Sequence, residues 1–122
     1  MSQNNADIAE SYYKAMEAKD ITRLGEYLHS DVIFLGPLAE LKGKDAVLSA
    51  AKGFSSFLKK ITIRSKFSSE TQAMLAYDME CPEPIGLFRA ATLMTFEKGL
   101  ITKIELFYDA RPFEKKKEEI FS

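Results

Sequence analysis

Disulfides, a cysteine-rich metal site and a membrane-spanning helix all lack their raw material in this sequence. Cys81 is the only cysteine, so no bridge can close within the chain and no set of thiolates can hold a metal. No apolar run approaches the roughly 20 residues that cross a bilayer, so no membrane partner is expected. The formal net charge is −1, so no global basic field points to nucleic acid or to an anionic membrane surface. The opening Met-Ser-Gln-Asn-Asn-Ala-Asp has neither the basic stretch nor the apolar stretch of a secretory signal. The expectation is a cytoplasmic protein. Repeats, linkers and low-complexity segments are missing too.

What is present is ordinary globular material. The chain has 122 residues, 46% hydrophobic and 29% charged, which fits one domain spanning 1–122, with 112–122 as a C-terminal tail. A domain of this size buries about two-thirds of the surface its unfolded chain exposes.

The first half reads as helices. Asn5 is positioned to cap a helix that carries Ile8, Tyr12, Ala15 and Met16 on one face. Asp20 caps a second, with Ile21, Leu24 and Leu28 at helical spacing and Gly25 weakening it. A third begins after Gly43, with Val47, Ala50, Ala51, Phe54 and Leu58 as its apolar stripe and Asp45 at its positive end. Between the second and third helices, residues 31–35 read as a short strand stopped by Gly36-Pro37.

The second half reads as strands. From Lys60, Ile61, Ile63, Ser65 and Phe67 alternate with Thr62, Arg64 and Lys66, which is period two with one wet side. Strands over 73–81, 87–96 and 100–109 follow, broken by the proline-bearing loop 81–86 and by the hairpin residues Glu97-Lys98-Gly99. Pro112 ends the last strand, and the tail beyond it reads as a short helix or a loose end. The Lys115–Lys117 run is followed by Glu118 and Glu119, a solvated face and no nucleic-acid patch.

Helices first and strands afterwards predict an α+β fold, with three helices packed on a curved, mostly antiparallel sheet that forms a conical cup. Alternation tells the two sheet faces apart. Tyr77, Met79, Cys81, Phe88, Ala90, Thr92, Met94, Phe96, Ile104, Leu106 and Tyr108 share one face; Asp78, Glu80, Leu87, Arg89, Ala91, Leu93, Thr95, Lys103, Glu105, Phe107 and Asp109 share the other. Burying an unpaired carboxylate costs several kcal/mol, whereas burying Leu or Met gains about 1.5–3. The first set is therefore predicted to face the helices, with a bulge able to reverse the pattern locally.

The run from Ala15 to Asp20, the helix from Ile21, and His29-Ser30-Asp31-Val32-Ile33-Phe34 resemble the opening of nuclear transport factor 2-like proteins. Leu41-Lys42-Gly43-Lys44-Asp45-Ala46-Val47 resembles that group's turn into its third helix, and the resemblance runs from about Asp7 to Asp109. The relatives it suggests are SnoaL-like proteins and ketosteroid isomerases, in which a conical cavity holds a small, often hydrophobic molecule, and dimers through the outer sheet face are common. Ketosteroid isomerases use a first-helix Tyr, a carboxylate base after the first strand and a protonated Asp on a later strand. These map onto Tyr12, Gly36 and the neighbourhood of Thr92. One of three groups is kept, so steroid isomerase activity is not expected, and whether the chain is an enzyme stays open. Tyr12 and Thr92 are the candidate catalytic residues.

The pocket implied by this resemblance is lined by Tyr12, Met16, Phe34, Tyr77, Met79, Cys81, Ala90, Thr92, Met94, Ile104, Leu106 and Tyr108, with the hydroxyls of Tyr12, Tyr77, Thr92 and Tyr108 either orienting an apolar ligand or satisfied within the core. The leading function is binding of a small, mainly apolar molecule, with SnoaL-like isomerase or cyclase chemistry as an extension. One alternative is a non-catalytic dimeric interaction module. Another is a hydrolase resembling limonene epoxide hydrolases, using Asp78, Glu80, Arg89, Glu105 and Asp109, which otherwise form a cross-strand ion-pair network. His29 and Asp31 read as turn and capping residues and offer too few ligands for a metal. Cys81 reads as a small buried hydrophobe. No cofactor and no metal are expected. The partner expected besides the small molecule is a second copy, docked through Ala91, Leu93 and Phe107 on the outer face.

Overall fold

The computed structural model describes residues 4–111. The expectation for the tail 112–122 lies outside the described residues. The elements are α1 (Asn5–Glu17), α2 (Ile21–Glu26), β1 (Leu28–Leu35), β2 (Glu40–Lys42), α3 (Lys44–Phe57), β3 (Lys60–Ser68), β4 (Gln72–Glu80), β5 (Leu87–Glu97) and β6 (Leu100–Tyr108). The strands form one curved, open sheet in the order β2-β1-β6-β5-β4-β3. Every neighbouring pair is antiparallel except β1 with β6. This is the predicted α+β architecture. α1 packs on β3 and β4, and α3 on β1 and β2, so the helices cover one face.

Local chemistry sets the element ends. The cap of α1 is Asn4, whose side chain accepts from Asp7 N at 2.9 Å. Asn5, expected as the cap, is the first helical residue, and its amide donates to the carbonyls of Ser69 and Glu70. Two adjacent asparagines offer the same chemistry, and the choice falls to whichever leaves the other useful. Asp20 caps α2 as expected, accepting from Arg23 N at 3.1 Å. Leu28 belongs to β1 and not to the second helix, because α2 stops at Glu26 and β1 starts three residues ahead of the predicted strand. Lys98 (φ 52°) and Gly99 (φ 80°) both sit in the left-handed region, which makes the β5–β6 connection a two-residue hairpin turn whose twist matches the strands.

The face assignment holds on β4, β5 and β6. Tyr77, Met79, Ala90, Thr92, Met94, Phe96 and Ile104 are buried, while Glu80, Leu87, Arg89, Phe107 and Asp109 are exposed. Met94, Ile101, Leu75 and Leu24 reach 0% exposure, each contributing about 1.5–3 kcal/mol relative to leaving it in water. Two bulges adjust the pattern. Thr102 is the extra residue where Thr95 pairs with Lys103 and Phe96 with Ile101, so Ile101 and Ile104 are both buried despite their spacing.

The second bulge corrects the reading of β3. Ile63 pairs with Tyr77 and Ser65 with Ala76, leaving Arg64 as the inserted residue. Beyond it every side chain changes face. Lys66 turns toward the helices and binds Asp7 and Glu10 of α1 at 2.7 and 2.8 Å. Phe67, predicted to share a face with Ile61 and Ile63, turns outward and is 69% exposed.

The two helical walls are joined where α1, α3 and β3 meet. Ser55 Oγ donates to Met16 O at 2.7 Å, out of solvent. Lys19 (φ 61°) swings its amine to the carbonyls of Ser55 and Leu58 at the C-terminal end of α3, where a cation meets the negative end of the helix dipole. Glu17 Oε2 accepts from Ile61 N at 2.6 Å, which occupies a donor that β3, an edge strand, would otherwise leave open.

Candidate functional site

Between α1, α3 and the concave sheet face lies a cavity of about 70 Å³. Tyr12, Tyr13 and Met16 come from α1, and Val47, Ala50, Ala51 and Phe54 from α3. Phe34, Gly36, Leu38, Ala39 and Leu41 come from β1, β2 and their turn, and Tyr77, Met79, Phe88, Ala90, Ile104, Leu106 and Tyr108 from the sheet. None of these side chains is charged, so among the described residues the cavity wall offers neither a counter-ion nor a general base.

The sequence reading placed twelve residues around a pocket, and the structure brings Tyr12, Met16, Phe34, Tyr77, Met79, Ala90, Ile104, Leu106 and Tyr108 to the cavity wall. Cys81, Thr92 and Met94 lie elsewhere in the core. They are buried without reaching the cavity wall. Thr92 and Met94 are both 0% exposed. Cys81 stands just past the end of β4, where burial pushes its thiol up to about 11.

Thr92 shows why. Its Oγ1 lies 2.6 Å from Tyr13 Oη and 2.7 Å from Tyr77 Oη, and Tyr77 donates to Tyr13 at 3.0 Å. The three hydroxyls close a triangle in which each can donate once and accept once. This is the satisfied-core reading of Tyr77 and Thr92, and these hydroxyls answer one another before any ligand. Tyr13, missed from the sequence, completes the triangle. Its ring stacks at a tilt on Tyr77 with centroids 4.7 Å apart and meets Tyr12 edge-on at 5.5 Å. A signal existed: in a helix with Ala9, Tyr12, Tyr13 and Met16 all buried, the apolar arc is wide enough for two adjacent tyrosines.

Tyr12 differs from the other two. It is 2% exposed, and its hydroxyl has no hydrogen bond to a described residue. Asp78 Oδ1 is the single enclosed side-chain polar atom without a hydrogen bond among the described residues, so the Tyr12 oxygen is not sealed away, and its residue lines the cavity. Burial, with Tyr13 alongside, raises its pKa far above the ordinary tyrosine value. Near neutral pH it is a phenol that donates, not a phenolate that takes a proton.

Gly36 lies at the cavity wall beneath the Phe34 ring. A Cβ added there would stand 2.9 Å from Phe34 Cε1, so the site mapped to the isomerase base is both empty of a side chain and roofed by an aromatic ring.

The charged set forms no part of this site. Asp78, Glu80, Arg89, Glu105 and Asp109 project from the convex face, away from the cavity. Arg111 clamps Asp109 with Nη2 at 2.6 Å and holds that carboxyl at about 2. The hydrolase reading required these groups inside the cup, so the structure sets it aside. His29 accepts from Asp31 N through Nδ1 at 3.0 Å at the start of β1, the local backbone role expected of it. Among the described residues no three His, Cys, Asp or Glu side chains come together as metal ligands, and no helix is long and apolar enough to cross a membrane.

Comparison with other proteins places the fold. The family model described as SnoaL-like domain matches residues 9–104. A solved structure from Kribbella flavida is 27% identical, with a TM-score of 0.87 over 96% of each chain. An NTF2-like protein of unknown function from Cytophaga hutchinsonii is 20% identical, with a TM-score of 0.81 over 93% of this chain and 96% of that one. A steroid delta-isomerase from Pseudomonas aeruginosa is 17% identical, with a TM-score of 0.79 over 98% of this chain and 90% of that one. No curated protein matches the chain.

Proposed function

The chain belongs to the SnoaL-like domain family, and on that premise we propose that it binds a small, uncharged, mainly apolar molecule in the cavity, with the Tyr12 hydroxyl as the one directed polar contact. The observation that carries this reading is the contrast between the tyrosines. Tyr13 and Tyr77 spend their hydroxyls on Thr92 and on each other, while Tyr12 keeps its own open to a wall without charge. A mostly apolar enclosure with few placed polar groups is how small-molecule sites are built.

The same wall limits the ligand. A carboxylate or ammonium entering it would lose water and gain no counter-ion, at a cost of several kcal/mol. A neutral molecule with one acceptor, such as a ketone or ester, loses little and gains the Tyr12 donor. Isomerase- or cyclase-type chemistry, if the site performs it, proceeds through positioning and polarisation of that acceptor. No described lining residue supplies a base, so within the described wall the substrate itself or water takes the proton. The steroid isomerase likeness supports the fold alone at this identity.

The test is Tyr12→Phe, titrated with acetylnaphthalene as a neutral ketone probe and with naphthoate as its anionic counterpart. The ring stays and the hydroxyl goes. Ketone affinity falls about 2- to 12-fold, the worth of one neutral hydrogen bond of 0.5–1.5 kcal/mol. Naphthoate binds far more weakly to both proteins. Equal affinity for the two probes, or a Tyr12→Phe variant that alters stability and not ketone binding, contradicts the proposal.

A further inference from the structure

The cavity lining divides by depth. Tyr12, Met79 and Ile104 are buried and form its floor. Leu38, Phe88, Leu106 and Tyr108 are half-buried and mark its mouth. Phe88 and Tyr108 come from the start of β5 and the end of β6, with ring centroids 6.0 Å apart. Leu38 stands in the turn between β1 and β2. The rim is therefore apolar, with one acid on it: Glu40, exposed between the lining residues Ala39 and Leu41.

The chain leaves the sheet at this rim. Leu106 and Tyr108 line the cavity from β6, and Ala110 continues their alternation, half-buried between the exposed Asp109 and Arg111. Asp109 Oδ1 accepts from Arg111 N at 3.1 Å, a side-chain turn that bends the backbone just past the strand. Residues 112–122, Pro-Phe-Glu-Lys-Lys-Lys-Glu-Glu-Ile-Phe-Ser, follow from there. Their sequence is amphipathic at helical spacing. Phe113, Ile120 and Phe121 stand at i, i+7 and i+8 on one stripe, and everything between them is Lys or Glu. Pro112 suits the first position of a helix. Lys116 and Lys117 fall within the stripe, where their stems extend the apolar surface and their amines reach past it toward an acid such as Glu40. A helix this short is marginal alone in water, so the stripe needs an apolar surface to lie on. Ten helical residues span roughly 15 Å, enough to cross an opening rimmed by a few side chains.

We propose that residues 112–122 fold back over the mouth and cover the cavity, with Phe113 seated on Phe88 and Tyr108 and Ile120 reaching Leu38. The cover regulates the site. Shut, it keeps bulk water from the Tyr12 hydroxyl; open, it admits a molecule. A segment that holds its helix only while docked opens at little cost, as a gate must. The inference takes its purpose from the pocket reading and its geometry from the rim alone, so its main test uses no ligand.

The chain has no tryptophan, so Phe113→Trp in the full chain carries a single reporter. The expected result is blue-shifted emission that acrylamide quenches several-fold less than free N-acetyltryptophanamide. Adding Leu38→Glu or Phe88→Glu, each checked for folding by circular dichroism, returns the reporter to solvent. Leu87→Glu and Phe107→Glu, on the convex face, leave it protected. Phe121→Trp with Phe113 kept gives the same pattern. A reporter as quenchable as the free amide overturns the inference. So does protection that the convex variants release and the rim variants do not, and so does protection that fades on dilution, which puts the tail on a second copy. As the functional arm, Phe113→Ser quickens both capture and release of acetylnaphthalene, release by about tenfold. Unchanged rates beside a protected reporter overturn the gating. Failure of acetylnaphthalene to bind any form counts against the pocket reading, while the reporter still decides the cover.

Discussion

Replacing Thr92 by Val should cost far more than the loss of one oxygen from a residue that touches no ligand. The two side chains have nearly the same shape, and the site is 0% exposed, so the change isolates the hydroxyl. Tyr77 donates to Tyr13, which leaves Tyr13 to donate to Thr92 and Thr92 to Tyr77. The substitution removes the last two bonds together. Tyr13 keeps a buried proton with no acceptor. Each lost bond is worth about 1 kcal/mol net, and the stranded donor costs about 1–3 more, so the expected loss is about 3–5 kcal/mol. With a urea slope of about 1.5 kcal/mol per molar, the unfolding midpoint falls by about 2–3 M. The decisive comparison is the triple variant Tyr13→Phe, Thr92→Val, Tyr77→Phe. It leaves no polar atom unpaired, and its cost should be less than half the sum of the three single changes. Additive single costs would refute the closed triangle.

Alkaline pH should destabilise the fold steeply. Burial raises Tyr12, Tyr13 and Tyr77 above the ordinary tyrosine value, so the unfolded chain ionises first. Stability is intact below about pH 10 and falls by roughly 4 kcal/mol per pH unit above it, three groups at about 1.4 each; a urea midpoint unchanged between pH 9 and about 11 would contradict the buried assignment. Cys81, its thiol pushed up to about 11, should react with a disulfide reagent at mildly alkaline pH at least a hundredfold slower than a free thiol, and labelling at the free rate would place it at the surface. Lys19→Met should cost about 1 kcal/mol by uncapping the end of α3, seen as a lower thermal midpoint; no change would make those bonds incidental. Gly36→Ala should displace the Phe34 ring and weaken ketone-probe binding with a smaller effect on stability, while unchanged binding would mean that the ring plays no part in the wall.

Much of this fold is written in two periodicities. The alternation of β4 to β6 separates a buried Tyr77 and Met79 from a half-buried Asp78 and an exposed Glu80, because the penalty for reversing them is several kcal/mol. Alternation says nothing about inserted residues, so Arg64 and the consequent positions of Lys66 and Phe67 were hidden. It also gives face without depth. Thr92 and Met94 share a face with Ala90, yet Ala90 lines the cavity and the other two are fully buried away from it. Strand β2 has three residues and a half-buried middle, too short for any period to show. The α3 stripe of Val47, Ala50, Ala51 and Phe54 was visible as apolar; that it forms a cavity wall depends on Lys19 and Ser55 pinning that helix to α1, a pairing no local pattern announces.

The central claim is that an uncharged molecule enters between α1, α3 and the sheet. Methionine provides the reporters: Met16 and Met79 line the cavity, Met94 is buried away from it, and Met74 lies on the convex face. The measurement is the methyl spectrum of isotope-labelled methionine during titration with acetylnaphthalene. The account predicts that the Met16 and Met79 signals shift together and saturate, while Met74 stays still and naphthoate moves nothing at the same concentration. A Met74 shift with Met16 and Met79 unmoved, or an equal response to naphthoate, would contradict it.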